Sequence, residues 1–389
     1  MGIKLSQRGD VAPFMVMDVM DAAARQEAAG HRVIHMEVGQ PSTPAPRKVL
    51  QAAHEALDTQ IMGYTSALGV PELRRRIAAY YAETAGVDID PARVAVTAGS
   101  LGGFLLAFLA AFEPGDRVAM PRPSYPSYRN MLGALGLEPV WVETSVERGF
   151  QPTPEDLDRL QGPVHGLIIA SPSNPVGSVI PPEALQRLVD YCQIRGIRLI
   201  SDEIYHGISY GVPTQPALCY GDEVISLNSF SKYFSMTGWR LGWMVMPDNM
   251  IRQVERLAQN FFICSSAPAQ YAALAAFDCR AELDAHVAVY ARNRQLLLDG
   301  LPQVGFTRIA PADGAFYLYA DVSHLTEDSL AYAATMLEQA GVAATSGVDF
   351  DPIAGHRYLR FSYARCTEDM QEALNRLRRW QVDNERHSC

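Results

Sequence analysis

Residues Gly166–Tyr205 read GLIIASPSNPVGSVIPPEALQRLVDYCQIRGIRLISDEIY. A short apolar run, Gly166–Ala170, gives way to the turn-rich loop Ser171–Gly177. Pro182–Gly196 then has helical periodicity, with proline at its start and glycine at its end. A second apolar run, Ile197–Ser201, opens into Asp202-Glu203-Ile204-Tyr205. Short Ile/Leu-rich runs bounded by turn residues are buried strands, and two strands joined through a helix form a parallel crossover unit. The same alternation continues on both sides. Val94–Val96, Arg117–Met120 and Val224–Leu227 are strand candidates, and Leu101–Phe112 and Met250–Gln259 are helix candidates. This pattern predicts an α/β protein with a mostly parallel sheet sandwiched by helices.

Beyond about residue 275 the pattern changes. Alanine-rich helices over 267–300 lead to Phe316–Ala320, a helix near 327–340, the run Tyr358–Ser362 and a last helix ending near 380. Helices with isolated strands predict a smaller α+β domain. The first forty residues hold one helix, about Phe14–Ala29, and the run Val33–Glu37. The expected division is a large domain over 45–275 and a small one formed by 1–44 with 276–389.

With 389 residues, 48% hydrophobic and 20% charged, the chain is long enough for roughly two or three domains. Its net charge of −10 argues against a dedicated nucleic-acid binder. The six cysteines are scattered without a CxxC pair, which excludes a disulfide scaffold or zinc knuckle and fits a reducing, cytoplasmic setting. No metal site is expected. The uncharged stretch Val94–Phe112 is interrupted by Gly and Ser, so strand, turn and buried helix is a better reading than a membrane span. The start, Met-Gly-x-x-x-Ser, matches a lipidation pattern short enough to recur by chance. Only Lys4, Lys48 and Lys232 are lysines; every other basic residue is arginine.

In an open parallel sheet, ligands bind beyond the carboxyl ends of the strands. Here those ends carry Gly99-Ser100, Pro121–Tyr125, Ser173-Asn174-Pro175, Asp202–Tyr205 and Ser229–Lys232. A lysine among apolar and hydroxyl residues suits Schiff-base formation with an aldehyde. Ser229, Ser231 and Arg240 suit a phosphate dianion, and Ser100 opens a helix whose N–H groups and dipole favour the same anion. A strand-end Asp can hold a protonated pyridine nitrogen, while Asn and Tyr can bond a phenolate oxygen. Aldehyde, phosphate, pyridine nitrogen and phenolate oxygen together describe pyridoxal 5'-phosphate.

The chain resembles the class I/II pyridoxal-phosphate-dependent aminotransferases of fold type I, essentially end to end. Ser171–Gly177 is similar to their Asn-Pro-x-Gly loop, Asp202-x-x-Tyr205 to their Asp-x-x-Tyr strand end, Ser229-x-Ser231-Lys232 with Arg240 to their lysine segment, and Arg360-Phe361-Ser362 to their C-terminal arginine motif. The resemblance implies that Lys232 carries the cofactor and shuttles the proton. Asp202 would pair with the pyridine nitrogen, Glu203 pointing to the opposite face. Asn174 and Tyr205 would bond the phenolic oxygen. Ser229, Arg240 and the backbone at Ser100 and Leu101 would cradle the phosphate, with Ser231 as a further candidate. Tyr125 would stack on the ring. Arg360, with Asn174 and the backbone of Gly39, would take the substrate carboxylate. Tyr64 would reach the phosphate of a neighbouring subunit, making a homodimer with shared sites.

The reaction so implied is transamination between an L-amino acid and a 2-oxo acid such as 2-oxoglutarate. The alternative on the same fold is a carbon–sulfur β-lyase. Relatives preferring dicarboxylic donors often carry lysine where Leu101 stands. With Phe14 and Val16 also expected near the pocket, an apolar or aromatic donor is favoured.

Overall fold

The computed structural model describes residues 3–387; Met1 and Gly2, where the lipidation pattern begins, and Cys389 lie outside them. A seven-stranded sheet runs in the spatial order Val94–Thr97, Gly242–Val245, Ile225–Ser229, Arg198–Asp202, Gly166–Ala170, Arg117–Arg122, Glu138–Glu143. All neighbours pair in parallel except Gly242–Val245, which runs antiparallel to both of its partners. Two strands were not anticipated. Gly242–Val245 lies in the apolar run Leu241–Met246 but follows the Lys232 segment with only a single 3-10 turn between, outside the strand–helix alternation. Glu138–Glu143 at the sheet edge buries only alternate residues, so it gives no long apolar run.

Side-chain alternation divides the sheet between two cores. Leu167, Ile169 and Leu199 face one, while Ile168, Ile200 and Leu227 face the other with helix Gly99–Ala111. That helix is uncharged because sheet and helices cover it. Among the described residues no helix is long and apolar enough to cross a membrane. The alternation also puts the adjacent carboxylates Asp202 and Glu203 on opposite faces. Glu203, fully buried, accepts bonds from Ser226 Oγ and the Ala217 amide, each at 2.8 Å.

A second, antiparallel sheet has the order Thr345–Ser346, Tyr358–Ser362, Tyr317–Asp321, Arg308–Ile309. It packs in a third core with helices Arg280–Gly300 and Thr367–His387. The last helix runs past the expected end near 380 because no Gly or Pro stops it. At the other end of the chain, Ile34–His35 pairs in parallel with Val342–Ala343, and helix Met15–Ala28 lies against helix Ser329–Ala340.

Candidate active site

The carboxyl ends of the parallel strands and the Arg360 strand of the second sheet face a common cavity of about 200 Å³. Lys232, Asp202, Tyr205, Asn174, Ser231, Arg240, Ser100, Leu101, Tyr125, Gly39 and Arg360 all line it. Two sequence candidates do not. Ser229 is buried just behind the wall, its hydroxyl donating to Leu241 O at 3.1 Å and lying 3.0 Å from Ser231 Oγ. Tyr64 is 83% exposed and stands outside the cavity.

Lys232 Nζ donates to Gly39 O at 2.6 Å. Burial, reinforced by Arg360 and Arg240, pulls its amine down to about 8, so an appreciable neutral fraction exists near neutrality. Asp202 is buried at the foot of its strand, accepting from Tyr128 Oη and from the Ile204 amide at 3.2 Å. Burial is the larger influence and pushes its carboxyl up to about 6. A buried carboxylate that lines the cavity, each oxygen accepting a single bond and able to accept a second, suits a cationic ring nitrogen, whose charge would favour the ionised form.

Arg240 sits in the left-handed region, φ 53°, where the chain turns back into Gly242–Val245. Its guanidinium lies against Gly99, the first residue of helix Gly99–Ala111, so closely that a Cβ on Gly99 would come within 2.4 Å of Nη2. A Cβ on Gly242 would likewise meet Ser100 N at 3.0 Å. Two glycines therefore let a cation and a helix N-terminus converge on one spot, an arrangement suited to a phosphate dianion.

At the opposite end, Arg360 is 3% exposed. Its Nη1 donates to Asn174 Oδ1 at 2.8 Å, and Nη2 to the Glu37 carbonyl and to Thr345 Oγ1 at 3.4 Å. The guanidinium is clasped between the rings of Tyr317 and Phe350, 4.5 and 4.7 Å from their centroids. Its Nε is buried without a hydrogen-bond partner among the described residues. Tyr317 Oη also meets Tyr205 Oη at 2.7 Å, and a Cβ on Gly39 would fall 1.8 Å from it, so only glycine fits there. Phe14, Val16 and Met17 close the cavity from the N-terminal segment, with Phe14 set edge-on to Tyr125 at 5.8 Å.

Tyr317, Tyr128, Thr345 and Phe350 escaped the sequence reading. Each touches the site across the fold: Tyr128 meets an aspartate 74 positions away, and Tyr317 meets a tyrosine 112 positions away. The one signal available was that Tyr317 lies in an apolar strand candidate, where a phenol needs a buried partner.

The family model for aminotransferase class I and II matches residues 31–377. The valine–pyruvate aminotransferase of Mycobacterium tuberculosis is 48% identical over 97% of this chain and 98% of its own length. A crystal structure of an aminotransferase from the same organism superposes with a TM-score of 0.97 at 47% identity, over 98% of this chain and all of that one. The aspartate aminotransferase of Thermus thermophilus solved with maleate gives 0.92 at 32% identity, over 97% and 100%. The chain belongs to the class I and II aminotransferases and is an enzyme that transfers nitrogenous groups. The relatives named here are all aminotransferases, so the lyase alternative gains no support.

Proposed function

We propose that this enzyme uses pyridoxal 5'-phosphate to transfer the amino group of an apolar L-amino acid to an apolar 2-oxo acid such as pyruvate. One observation carries the reading: Lys232, Asp202, Arg240 and Arg360 surround a single cavity, and no further cation stands on its described wall. The residues present fit the cofactor, with a phosphate cradle at Gly99, Ser100, Ser231 and Arg240, a buried carboxylate at Asp202 and an amine of lowered basicity between them.

The bound cofactor supplies an electron sink for the substrate α-carbon. Arg360 holds the substrate carboxylate through its planar fork, with Asn174 fixing the fork's orientation. The Lys232 amine would take the substrate α-proton as general base and, as general acid, deliver it to the far end of that electron sink rather than back to the α-carbon. Asp202 would hold the ring nitrogen, Tyr205 would donate to the phenolic oxygen, and Tyr125 would pack beside the ring. Phe14, Val16 and Leu101 receive the substrate side chain and exclude water. Both halves of a ping-pong cycle use this one wall, so the acceptor's side chain meets the same apolar surface as the donor's. The 48% identity to a valine–pyruvate aminotransferase supports the same pairing, with pyruvate in place of 2-oxoglutarate as the proposed acceptor.

Two further assignments belong to this reading. Residues 45–275 form the cofactor-binding domain and 1–44 with 276–389 the smaller one. The exposed Tyr64 completes the phosphate site of a second subunit in a homodimer.

Single half-reactions of the loaded enzyme with valine, leucine, methionine, phenylalanine, alanine, aspartate and glutamate, followed by cofactor absorbance, test the substrate assignment. Apolar donors should react with the higher kcat/KM, and pyruvate should regenerate the starting form faster than 2-oxoglutarate. Preference for aspartate would overturn it.

A further inference from the structure

Helix Met15–Ala28 carries Phe14 and Val16 into the active cavity, yet its own N-cap residue, Phe14, has no side chain able to cap it. Uncapped helix N-termini leave backbone N–H groups without partners. The missing acceptor comes from the far end of the chain. Asp349 Oδ1 receives the Met15 amide at 3.4 Å, across 334 positions of sequence. Asp349 is completely buried, and its Oδ2 has no hydrogen-bond partner among the described residues. Burial pushes its carboxyl up, against the pull of the Met15 and Val16 amides and of Arg360 and Arg129. A carboxylate is rarely buried in this state without a positional reason.

The setting of Asp349 supplies that reason. Its carbonyl accepts from Arg129 Nη1 at 2.8 Å, on the helix that begins just after Tyr125. The next residue, Phe350, presents its ring to the guanidinium of Arg360. One short loop therefore touches the arginine of the carboxylate end, the ring-covering helix and the helix bearing the apolar wall.

We propose that Asp349 is a specificity-setting positioning residue: it caps helix Met15–Ala28 from across the fold of the same chain and so seats Phe14 and Val16 against the substrate side chain. This rests on the apolar-donor reading above for its effect on substrate choice, but not for the capping itself. The cap acts on side-chain recognition, because the helix contributes only to the wall and offers nothing to the reacting atoms.

Three variants test it: Asp349→Ala removes the acceptor, Asp349→Asn retains one, and Met15→Pro removes the donor N–H. Proline is tolerated at the first helical position, and Phe14 already has the extended backbone it requires (φ −91°, ψ 97°). Hydrogen exchange over residues 15–20 should accelerate about tenfold in Asp349→Ala and Met15→Pro, and stay near wild type in Asp349→Asn. In the same two variants KM for valine and leucine should rise about tenfold with kcat held, while alanine, too short to reach the wall, is unaffected. If Asp349→Ala does not fold, Met15→Pro decides the matter. Unchanged exchange, unchanged KM for valine, or a rise shared equally by alanine overturns the proposal. A wild-type preference for aspartate would sink the donor assignment but leave the exchange result as a separate test of the cap.

Discussion

At the Lys232 end of the cavity each functional group stands at, or just beyond, a strand of the seven-stranded sheet: Ser100, Asn174, Asp202, Lys232 and Arg240. At the Arg360 end the parts come from remote stretches of chain. Gly39 and Phe14 belong to the N-terminal segment, Tyr317 and Arg360 to the second sheet, and Asn174 reaches across from the first. The first end is held by contiguous strand and helix geometry, with Arg240 seated against Gly99. The second is held by side-chain contacts between separate segments of chain: the Arg360–Asn174 bond, the Tyr205–Tyr317 pair and the aromatic clasp. A site built in this way separates chemistry from recognition, so damage at the two ends should appear in different kinetic constants.

Lys232→Ala is the severest break. It should lower kcat by about 10⁴-fold, the upper range for loss of a general acid–base group, and reductive trapping should leave no pyridoxyl mass on the peptide bearing position 232. Substrate affinity should survive, since Arg360 is untouched.

Arg360→Lys probes the opposite end. Lysine keeps the charge but loses the planar fork and its aromatic clasp, so KM for every donor should rise about 10–100-fold, with the smaller change in kcat. If kcat instead falls as far as in Lys232→Ala, the two ends are not separable and the comparison fails.

The smallest effect is on stability. In cofactor-free protein the Lys232 amine lies near 8, below its ordinary 10.5. A lowered base binds fewer protons folded than unfolded between those values. Its destabilising effect is therefore complete below pH 8 and relieved as the pH rises towards 10.5. Urea melts should show Lys232→Met more stable than wild type by about 2–3 kcal/mol at pH 7, with the gap closing above pH 10. A gap independent of pH would mean that packing, not charge, sets the difference.

Much of the Lys232 end was legible in advance because parallel strands end where their ligands lie. A short apolar run followed by a polar residue names both the strand and the group it delivers. The Arg360 end was legible only in part. Arg360 stood out in an apolar run, but nothing local announced Tyr317, Phe350 or Thr345 as its neighbours, nor Tyr128 as the partner of Asp202. Gly39 illustrates the boundary. Sequence placed it near the substrate, yet the reason it must be glycine is the Tyr317 hydroxyl, which arrives from a strand some 280 positions later. Ser229 illustrates the reverse: its motif position pointed to the phosphate, while its hydroxyl in this structure is occupied by Ser231 and Leu241.

The amino-acid sequence by itself determined the alternation of strands and helices, the opposite faces taken by Asp202 and Glu203, and the groups delivered to the sheet's rim, because these follow from backbone periodicity and local turn chemistry. Tertiary structure alone decided the antiparallel return that brings Arg240 to Gly99, the clasp around Arg360 and the cap that Asp349 lends to a helix at the other end of the chain. Those depend on close packing between separate segments, from ten positions apart for Phe350 and Arg360 to 334 for Met15 and Asp349, and periodicity within one segment carries no record of what another will place against it.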